Sequence, residues 1–304
     1  MAAYLACDVG QSSTRMRFVS DAGVTEVTGG GVRTDAPLTE QWVSILTPAL
    51  TEHAELGVDS IAMGSSGNER ETAHGLLDAL AHLGIHKVVL AHDSITSYLG
   101  ALGLGEGCVI AAGTGTICLA VGPRESARVD GWGYLMGDAG SAFWIGRYGL
   151  EAALRGYDGR RQMTALTQAM AEEYPELETA YLDLQADPDR VARVAAFAAK
   201  VDNLAASDRV AGNIVDKAAA HLSEAVQAAI RRVHLNGPHP PRVAAIGGVF
   251  SSSRIVNRFT DFLCLQWPSF ALTEPEGVGI DGAERMLTLP ADHPLFAKLS
   301  VAER

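Results

Sequence analysis

Apolar and polar positions alternate in short blocks along the first third of this 304-residue chain. An apolar run at residues 4–7, a small polar run at 8–14 and renewed alternation at 15–19 predict a β-hairpin with a polar Gly/Ser tip. A segment with helical periodicity at residues 38–56 is followed by a short apolar strand at 60–63. A second helical segment at 69–83 is followed by a second strand at 87–91. Strands and helices that alternate in this way predict the α/β class.

The middle of the chain begins with a second hairpin, in which strands at 108–112 and 116–121 flank a Gly-Thr-Gly tip. Residues 149–234 are mostly helical, with a break at 187–188. A strand at 242–246 follows, and then two helical segments, at 251–262 and from 283. The repeated hairpin is what a duplicated nucleotide-binding core would show. We predict one domain at residues 1–103, completed by a C-terminal helix at 285–304, and a second domain at 104–284.

Composition narrows the set of partners. Hydrophobic residues make up 47% of the chain, enough for the cores of two domains. Acidic residues outnumber lysine and arginine by 36 to 24, and the formal charge of −12 repels nucleic acid and anionic membranes. The N-terminus lacks the pattern of a signal peptide, and the longest apolar stretch is too short to span a membrane, so a cytoplasmic location is expected. The four cysteines have no C-x-x-C spacing and are predicted to be buried free thiols.

The tip of the first hairpin carries the first candidate site. Asp8 can hold Mg²⁺ directly or through water, and Gly10 allows the backbone to approach a ligand closely. The hydroxyl groups and exposed amides of the tip can bind the phosphate oxygens of ATP, and the residues concerned are Gly10, Gln11, Ser12, Ser13 and Thr14. The alternative is an ordinary hairpin turn without a ligand.

Two later glycine-rich turns extend this nucleotide site. The second turn can bind further phosphate oxygens through amides and hydroxyl groups, and it consists of Gly113, Thr114, Gly115 and Thr116. The third, Gly247-Gly248, follows a strand and leaves open space for a flat adenine or ribose. Each turn alone is consistent with a plain connection, but the two hairpin turns together favour a two-sided phosphate clamp.

In this order, the D-x-G, G-T-G and G-G turns resemble the phosphate and adenosine motifs of the superfamily of acetate kinases, sugar kinases and actin. Residues 131–146, G-W-G-Y-L-M-G-D-A-G-S-A-F-W-I-G, closely resemble the G-W-G-x-x-x-G-D-E-G-S-A-x-W-I stretch of N-acetylglucosamine kinases in the BadF/BadG/BcrA/BcrD ATPase family. The resemblance implies two actin-like (ribonuclease H-like) domains with an interdomain cleft. It also implies ATP and Mg²⁺ as cofactors, a small-molecule sugar as acceptor, and a homodimer.

The resemblance also implies roles for single residues. Asp93 matches the family's catalytic base, and its position before a predicted helix at 94–102 offers an N-cap role as the alternative. The residues that match the family's sugar ligands are Ser66, Thr114, Gly133 and Asp138. Asp138 could instead form an Asx-turn, and Trp132 and Trp144 are interpreted as packing residues.

The sequence departs from the family pattern at three places. The first turn is D-V-G-Q-S-S-T where most of the family has D-G-G-G-T, and Ala139 stands where the family has Glu. Residues 29–37, where related kinases hold part of the amino-sugar site, do not match the family well. These changes leave the identity of the sugar open. The leading hypothesis is phosphorylation of N-acetylglucosamine or glucosamine by ATP, with Asp93 as base. The alternatives are an ATPase that activates a radical dehydratase or reductase, and a non-catalytic sugar sensor.

Overall fold

The computed structural model describes residues 3–67 and 72–304. The chain divides into two compact units. Unit 1 consists of Met1–Gly107, Val121–Ser126 and Glu274–Arg304, and unit 2 of Cys108–Ala120 and Ala127–Thr273.

The strands of the described residues are β1 (Tyr4–Val9), β2 (Ser13–Ser20), β3 (Gly23–Gly30), β4 (Ser60–Ser65), β5 (Lys87–His92), β6 (Gly107–Ala112), β7 (Thr116–Val121), β8 (Ser126–Asp130), β9 (Val243–Ile246) and β10 (Ser300–Glu303). The α-helices are α1 (Leu38–Glu52), α2 (Ala73–Leu80), α3 (Asp93–Leu102), α4 (Ala142–Tyr157), α5 (Ala165–Glu173), α6 (Ala180–Ala186), α7 (Arg190–Leu204), α8 (Arg209–Arg232), α9 (Ser253–Cys264) and α10 (Gly279–Met286). Short 3₁₀ helices lie at Ala54–Leu56, Ala81–Leu83, Gly248–Ser251 and Phe296–Lys298.

Unit 1 is built on a six-stranded sheet in the order β10-β5-β4-β1-β2-β3. Strand β1 is central and apolar, and Leu5, Ala6 and Cys7 are fully buried. It runs parallel to β4 and antiparallel to β2, and β4 runs parallel to β5. The carboxyl ends of β1, β4 and β5 therefore meet at one edge of the sheet, where ligands bind in open α/β sheets.

Unit 2 is built on a four-stranded sheet in the order β8-β7-β6-β9, covered by helices α4 to α9. Strands β6 and β9 are parallel, with Cys108 opposite Val243 and Ala111 opposite Ile246. The turn after β6 and the turn after β9 consequently lie at the same edge of this sheet. The core beneath is apolar and includes Ile110, Phe197, Leu222 and Phe259, all of which are 1% exposed or less.

The structure corrects several predicted elements. The proposed C-terminal helix at 285–304 is wrong, because α10 ends at Met286, Pro290 and Pro294 follow, and β10 pairs with β5. The predicted helix at 69–83 is α2 followed by a 3₁₀ turn, with Thr72 as N-cap, and Glu69 lies outside the described residues. Strands β3, β8 and β10 were not predicted. The stretch at 149–234 was predicted to be helical with one interruption, but it is divided among helices α4 to α8.

Two composition-based predictions are tested by the structure. All four cysteines are free, and Cys7, Cys108 and Cys118 are buried as predicted, whereas Cys264 is partly exposed. Within 3–67 and 72–304, the helices all fall short of the length and hydropathy that a membrane-crossing helix needs.

Candidate active site

The first hairpin turn is tighter than the sequence indicates. Asp8 is still paired, opposite Arg15, and Val9 lies opposite Thr14, so only Gly10 to Ser12 form the tip. The Gly10 amide donates a hydrogen bond of 3.0 Å to the Ser13 carbonyl oxygen and closes the turn. Gln11, Ser12 and Ser13 are exposed, so their amides and hydroxyl groups are accessible to a ligand in this structure.

Thr14 was predicted to bind phosphate, but its side chain is not accessible to a ligand in this structure. Its side chain is fully buried in β2, and its hydroxyl group donates a 2.7 Å hydrogen bond to the carbonyl oxygen of Gly30 in β3. A side chain without exposed surface cannot meet a phosphate oxygen. The Thr14 side chain instead helps to join β2 to β3.

Asp93 lies at the first position of α3, directly after β5. One carboxylate oxygen, Oδ2, accepts a hydrogen bond from the Ser66 hydroxyl group, and the other, Oδ1, lies 2.9 Å from Nδ1 of His92. A carboxylate has no hydrogen to give, so Nδ1 must carry the hydrogen for this contact to be favourable. Since Nδ1 then has no lone pair for the Ser94 amide, that amide donates to the Asp93 carboxylate instead. The structure thus brings together the predicted base and one predicted sugar ligand, Ser66.

These contacts set the charge of Asp93. Burial raises the pKa of this carboxyl group, but the hydrogen bond and charge of His92 and the hydrogen bonds from Ser66 and Ser94 outweigh burial, so the pKa lies below its ordinary value. The carboxylate stays ionised at neutral pH. His92 occupies the N-cap position of α3 and Asp93 its first helical position, so Asp93 is not the N-cap residue that its alternative role required.

The environment of Asp8 shifts its pKa in the direction opposite to that of Asp93. Burial, and next the negative charge of Asp93, raise the pKa of Asp8 to about 6, while Arg15 acts weakly the other way. No group of three metal-ligating side chains occurs in the part of the chain that the structure describes. A buried carboxylate beside a second carboxylate nevertheless fits a hard divalent cation, which would relieve both charges and take its remaining oxygens from phosphate and water.

In unit 2, the turn Gly113–Gly115 is held from the side of helix α4. The Ala142 amide donates to the Gly113 carbonyl oxygen at 2.8 Å, and the Phe143 amide donates to the Thr114 carbonyl oxygen at 3.2 Å. Thr114 is exposed and available to a ligand. Thr116 is 3% exposed, and its buried hydroxyl oxygen has no hydrogen-bond partner among the described residues. Thr116 therefore does not present its side chain to a phosphate in this structure.

Asp138 is joined to the same turn. Its carboxylate accepts hydrogen bonds from the backbone amides of Thr116 and Gly133, and only 8% of the residue is exposed. Burial, and next the charge of Asp130, raise the pKa of Asp138 to about 6, despite these amides. The structure thus brings together three predicted residues, Thr116, Gly133 and Asp138.

Asp130 is the residue that sequence reasoning missed here. Its two carboxylate oxygens accept hydrogen bonds from the amides of Asp138 at 2.8 Å and of Ala139 at 3.1 Å. Asp130 and Asp138 both have positive φ, 60° and 57°, a conformation that Asp tolerates better than most residues. A D-G pair before a glycine-rich loop was the available signal, because Asp commonly binds backbone amides in turns.

The two tryptophans of this loop differ. Trp144 packs against Tyr148 and His221, with ring centroids 4.3 Å and 5.2 Å apart, which agrees with the packing role predicted for it. Trp132 is 61% exposed and lies under the Arg128 guanidinium at 5.0 Å, so it is not a packing residue of the core.

The third turn combines a crowded glycine and an open one. Gly247 has φ of 97°, and a side chain there would overlap the carbonyl oxygen of Ala112 at the end of β6. A Cβ atom placed on Gly248 would meet no other described atom within 4 Å, and both glycines are exposed. Gly247 therefore serves strand packing, and Gly248 leaves the open space that the sequence predicted.

Most of the chain is similar in sequence to known proteins. The model of the BadF/BadG/BcrA/BcrD ATPase family matches residues 6–274. An N-acetylmuramic acid/N-acetylglucosamine kinase from Clostridium acetobutylicum is 25% identical over 238 residues, 74% of this chain and 75% of that protein. The N-acetyl-D-glucosamine kinase of Dictyostelium discoideum is 35% identical over 133 residues, 40% of each protein.

A crystal structure extends the comparison to the fold. A candidate N-acetylglucosamine kinase from Chromobacterium violaceum matches with a TM-score of 0.71 at 23% identity, over 93% of this chain and 98% of that one. Structural likeness of this kind confirms the predicted α/β class with two actin-like domains.

Proposed function

We propose, since this chain belongs to the BadF/BadG/BcrA/BcrD ATPase family, that it is a carbohydrate kinase that transfers the γ-phosphoryl group of ATP to a hydroxyl group of an amino sugar. The Clostridium and Dictyostelium relatives are both named as kinases of N-acetylglucosamine, which supports this sugar as the acceptor, and glucosamine stays the alternative. Membership of an ATPase family supports ATP as the donor.

The observation that carries the proposal is the environment of Asp93. A phosphoryl acceptor needs a carboxylate that orients its hydroxyl group and receives the proton. The Asp93 carboxylate is fixed from two sides by Ser66 and His92 and is kept ionised. A low pKa suits a transfer in which the proton leaves the sugar late, because the carboxylate then acts first as an orienting acceptor.

Ser66 has two tasks in this proposal. Its hydroxyl hydrogen is used by Asp93, while its oxygen still has lone pairs that can accept a hydrogen bond from a sugar hydroxyl group. Its amide donates to the carbonyl oxygen of Val9 at 3.1 Å, which ties the end of β4 to the end of β1. The base and its neighbour are therefore held on rigid strand ends.

Asp8 is the proposed ligand of Mg²⁺. When bound, Mg²⁺ would supply positive charge that neutralises the phosphate oxygens. The exposed tip at Gly10, Gln11, Ser12 and Ser13 would bind phosphate through its amides and hydroxyl groups. In unit 2, Gly113, Thr114 and Gly115 would do the same, and Gly248 would admit the adenosine.

Asp138 is proposed to act on the sugar while it also fixes the second turn. Its amide partners, Thr116 and Gly133, leave further lone pairs of the carboxylate for sugar hydroxyl groups. The amide of Gly133 is already used by Asp138, and its carbonyl oxygen accepts the amides of Met136 at 3.1 Å and Gly137 at 2.8 Å, so this glycine would act by shaping the loop around the sugar.

The rival function, activation of a radical enzyme, would require cysteines that hold an iron–sulfur cluster. Cys108 and Cys118 have sulfur atoms 3.2 Å apart, but both residues are fully buried between strands. Burial of this pair favours the kinase. A sample that is brown and contains iron after purification would reverse the preference. Dimerisation and a cytoplasmic location stay predictions of the family resemblance.

The direct test is ADP release by the purified protein with Mg-ATP. The acceptors to compare are N-acetylglucosamine, glucosamine, N-acetylmannosamine, N-acetylmuramic acid and glucose. We expect one amino sugar to stimulate ADP release strongly over the rate without sugar. Equal slow release with every sugar would contradict the proposed kinase, and saturable sugar binding without turnover would favour a sensor.

A further inference from the structure

The carboxylate of Asp8 packs on the first residue of α10, Gly279. A Cβ atom built on Gly279 would lie 2.5 Å from Oδ2, 2.7 Å from Cγ and 2.8 Å from Oδ1 of Asp8. All three atoms of the carboxyl group thus press on the same Cα position. Any side chain at 279 would have to displace them.

Backbone conformation gives no reason for a glycine at this position. The φ angle of Gly279 lies outside the left-handed region, so other residues could adopt the same backbone. Alanine is the better helix former by about 1 kcal/mol. The space taken by the Asp8 carboxylate is therefore what requires a glycine here.

Helix α10 is packed closely on α3, which restricts the movement by which it could make room for a side chain. A Cβ atom on Gly282 would overlap the Thr96 carbonyl oxygen, and one on Gly100 would overlap the Val278 carbonyl oxygen. The Arg285 guanidinium also donates to the carbonyl oxygens of Leu99 and Gly100 at the end of α3. These contacts fix the distance between the two helices.

A second tether joins α10 to the sheet. Arg17 of β2 forms ion pairs with Asp281 at 2.7 Å and with Glu284 at 3.1 Å. Asp281 in turn accepts the amide of Val278 at 2.8 Å and so orders the start of the helix. The first turn of α10 is thus held toward β1 and β2.

We infer that Gly279 is a positioning residue that sets the orientation of the Asp8 carboxylate for a divalent cation, with α10 as a fixed backstop. The inference rests on the proposed role of Asp8 as metal ligand. Loss of an outer partner of a metal ligand typically weakens metal binding about 10–100-fold. A methyl group at 279 should have an effect of this size, because the helix is fixed and the carboxylate has to move.

The test is binding of Mn²⁺, a paramagnetic substitute for Mg²⁺, measured by electron paramagnetic resonance in the presence of ADP. For Gly279→Ala we expect about tenfold weaker Mn²⁺ binding with an unchanged melting temperature. Gly75→Ala in α2 is the matched control, because the nearest described atom to its Cβ lies 3.9 Å away. Mn²⁺ binding by Gly75→Ala should equal that of the wild type.

A double-mutant cycle separates positioning from a general effect. If Gly279 acts through Asp8, then Gly279→Ala should weaken Mn²⁺ binding no further in an Asp8→Ala background. An equal further loss in that background, or wild-type Mn²⁺ binding by Gly279→Ala, would overturn the inference. Should Gly279→Ala fold poorly, Arg17→Gln provides the second variant, for which we expect several-fold weaker Mn²⁺ binding, and wild-type binding would count against the inference.

The outcome is distinguishable from a failure of the proposed function. Wild-type protein that phosphorylates no sugar but shows the Gly279 effect on Mn²⁺ would refute the kinase and keep the positioning role. If the wild-type protein phosphorylates a sugar and Gly279→Ala binds Mn²⁺ as tightly as the wild type, the kinase is supported and the positioning role of Gly279 is refuted.

Discussion

The two hairpin turns of this protein look alike in sequence, but they are stabilised in different ways. The first, Gly10–Ser12 in unit 1, has an exposed tip. Of the two carboxylates near it, that of Asp8 packs on Gly279 at the start of α10, and that of Asp93 contacts the side chain of His92. The second, Gly113–Gly115 in unit 2, is bound by amides of α4 and linked to the carboxylate of Asp138. Unit 1 therefore presents charges that can change during a reaction, and unit 2 presents a preformed backbone.

This difference indicates a division of roles. Asp93 and Asp8 lie in one unit, and their environments move their pKa values in opposite directions. This suits the two roles proposed for them, a base that stays ionised and a metal ligand whose negative charge a cation would stabilise. Asp130 and Asp138 use their carboxylates mainly to hold backbone amides. We expect substitutions of Asp8 and Asp93 to change chemistry and substitution of Asp130 to change stability.

The largest expected effect is that of Asp93→Asn. Asparagine keeps the size of the side chain but cannot receive the proton, so turnover should fall about 10²–10⁴-fold while ATP still binds. Steady-state kinetics and an ATP-binding titration check this, with Asp292→Asn at an exposed position as the control. Undiminished turnover by Asp93→Asn would remove the base assignment.

Asp8→Asn tests the raised pKa without any metal. The folded state binds the Asp8 proton more tightly than the unfolded state, so the stability that protonated Asp8 contributes is lost as pH rises from near 4 to above 6. The shift from 3.8 to about 6 corresponds to about 3 kcal/mol at most. In EDTA, Asp8→Asn should match the wild type at the acid end and unfold less readily above pH 6, as measured by urea titration. Equal curves at every pH would contradict the raised pKa.

Asp130→Ala tests the second turn. It removes two hydrogen bonds from a charged acceptor, so we expect the free energy of unfolding to fall by about 2–3 kcal/mol. Asp130→Ala also removes a charge that raises the pKa of Asp138, so turnover is compared above pH 7, where Asp138 is ionised in both proteins. Among molecules that remain folded, turnover there should stay that of the wild type. Lower turnover above pH 7 with unchanged stability would reverse the comparison between the two turns.

The smallest effect is expected for Thr14→Val. The buried hydroxyl group loses its hydrogen bond to Gly30, at a cost of about 1 kcal/mol. Because Thr14 has no exposed surface, the KM for ATP should not change. A raised KM without a loss of stability would restore Thr14 as a phosphate ligand.

The parts of the fold that were predictable are those with local signals. β1, the first turn and the strand before Asp93 are short apolar runs followed by small polar residues, so their positions follow from neighbouring positions in the sequence. β3 is an edge strand with mostly exposed residues, and its pairing with β2 is what buries Thr14. β10 pairs with a strand more than 200 positions earlier in the sequence, a contact that periodicity does not reveal.

The same limit applies to the site. Asp8 was singled out by a motif at a strand end, and Ser66 and Asp93 by resemblance to the family. The contact of His92 with Asp93, the hold of Asp130 on two amides and the close approach of Gly279 to Asp8 depend on folded geometry. Gly279 in particular gives no sequence signal, because a glycine at a helix start is common for conformational reasons that do not apply here.

Phosphorus-31 nuclear magnetic resonance of the reaction mixture tests the central claim most directly. Wild-type protein incubated with Mg-ATP and N-acetylglucosamine or glucosamine should produce a new phosphomonoester signal, equal in amount to the ADP formed, and Asp93→Asn should produce almost none. ADP with only inorganic phosphate would contradict the account, because the protein would then hydrolyse ATP without transferring the phosphoryl group to a sugar.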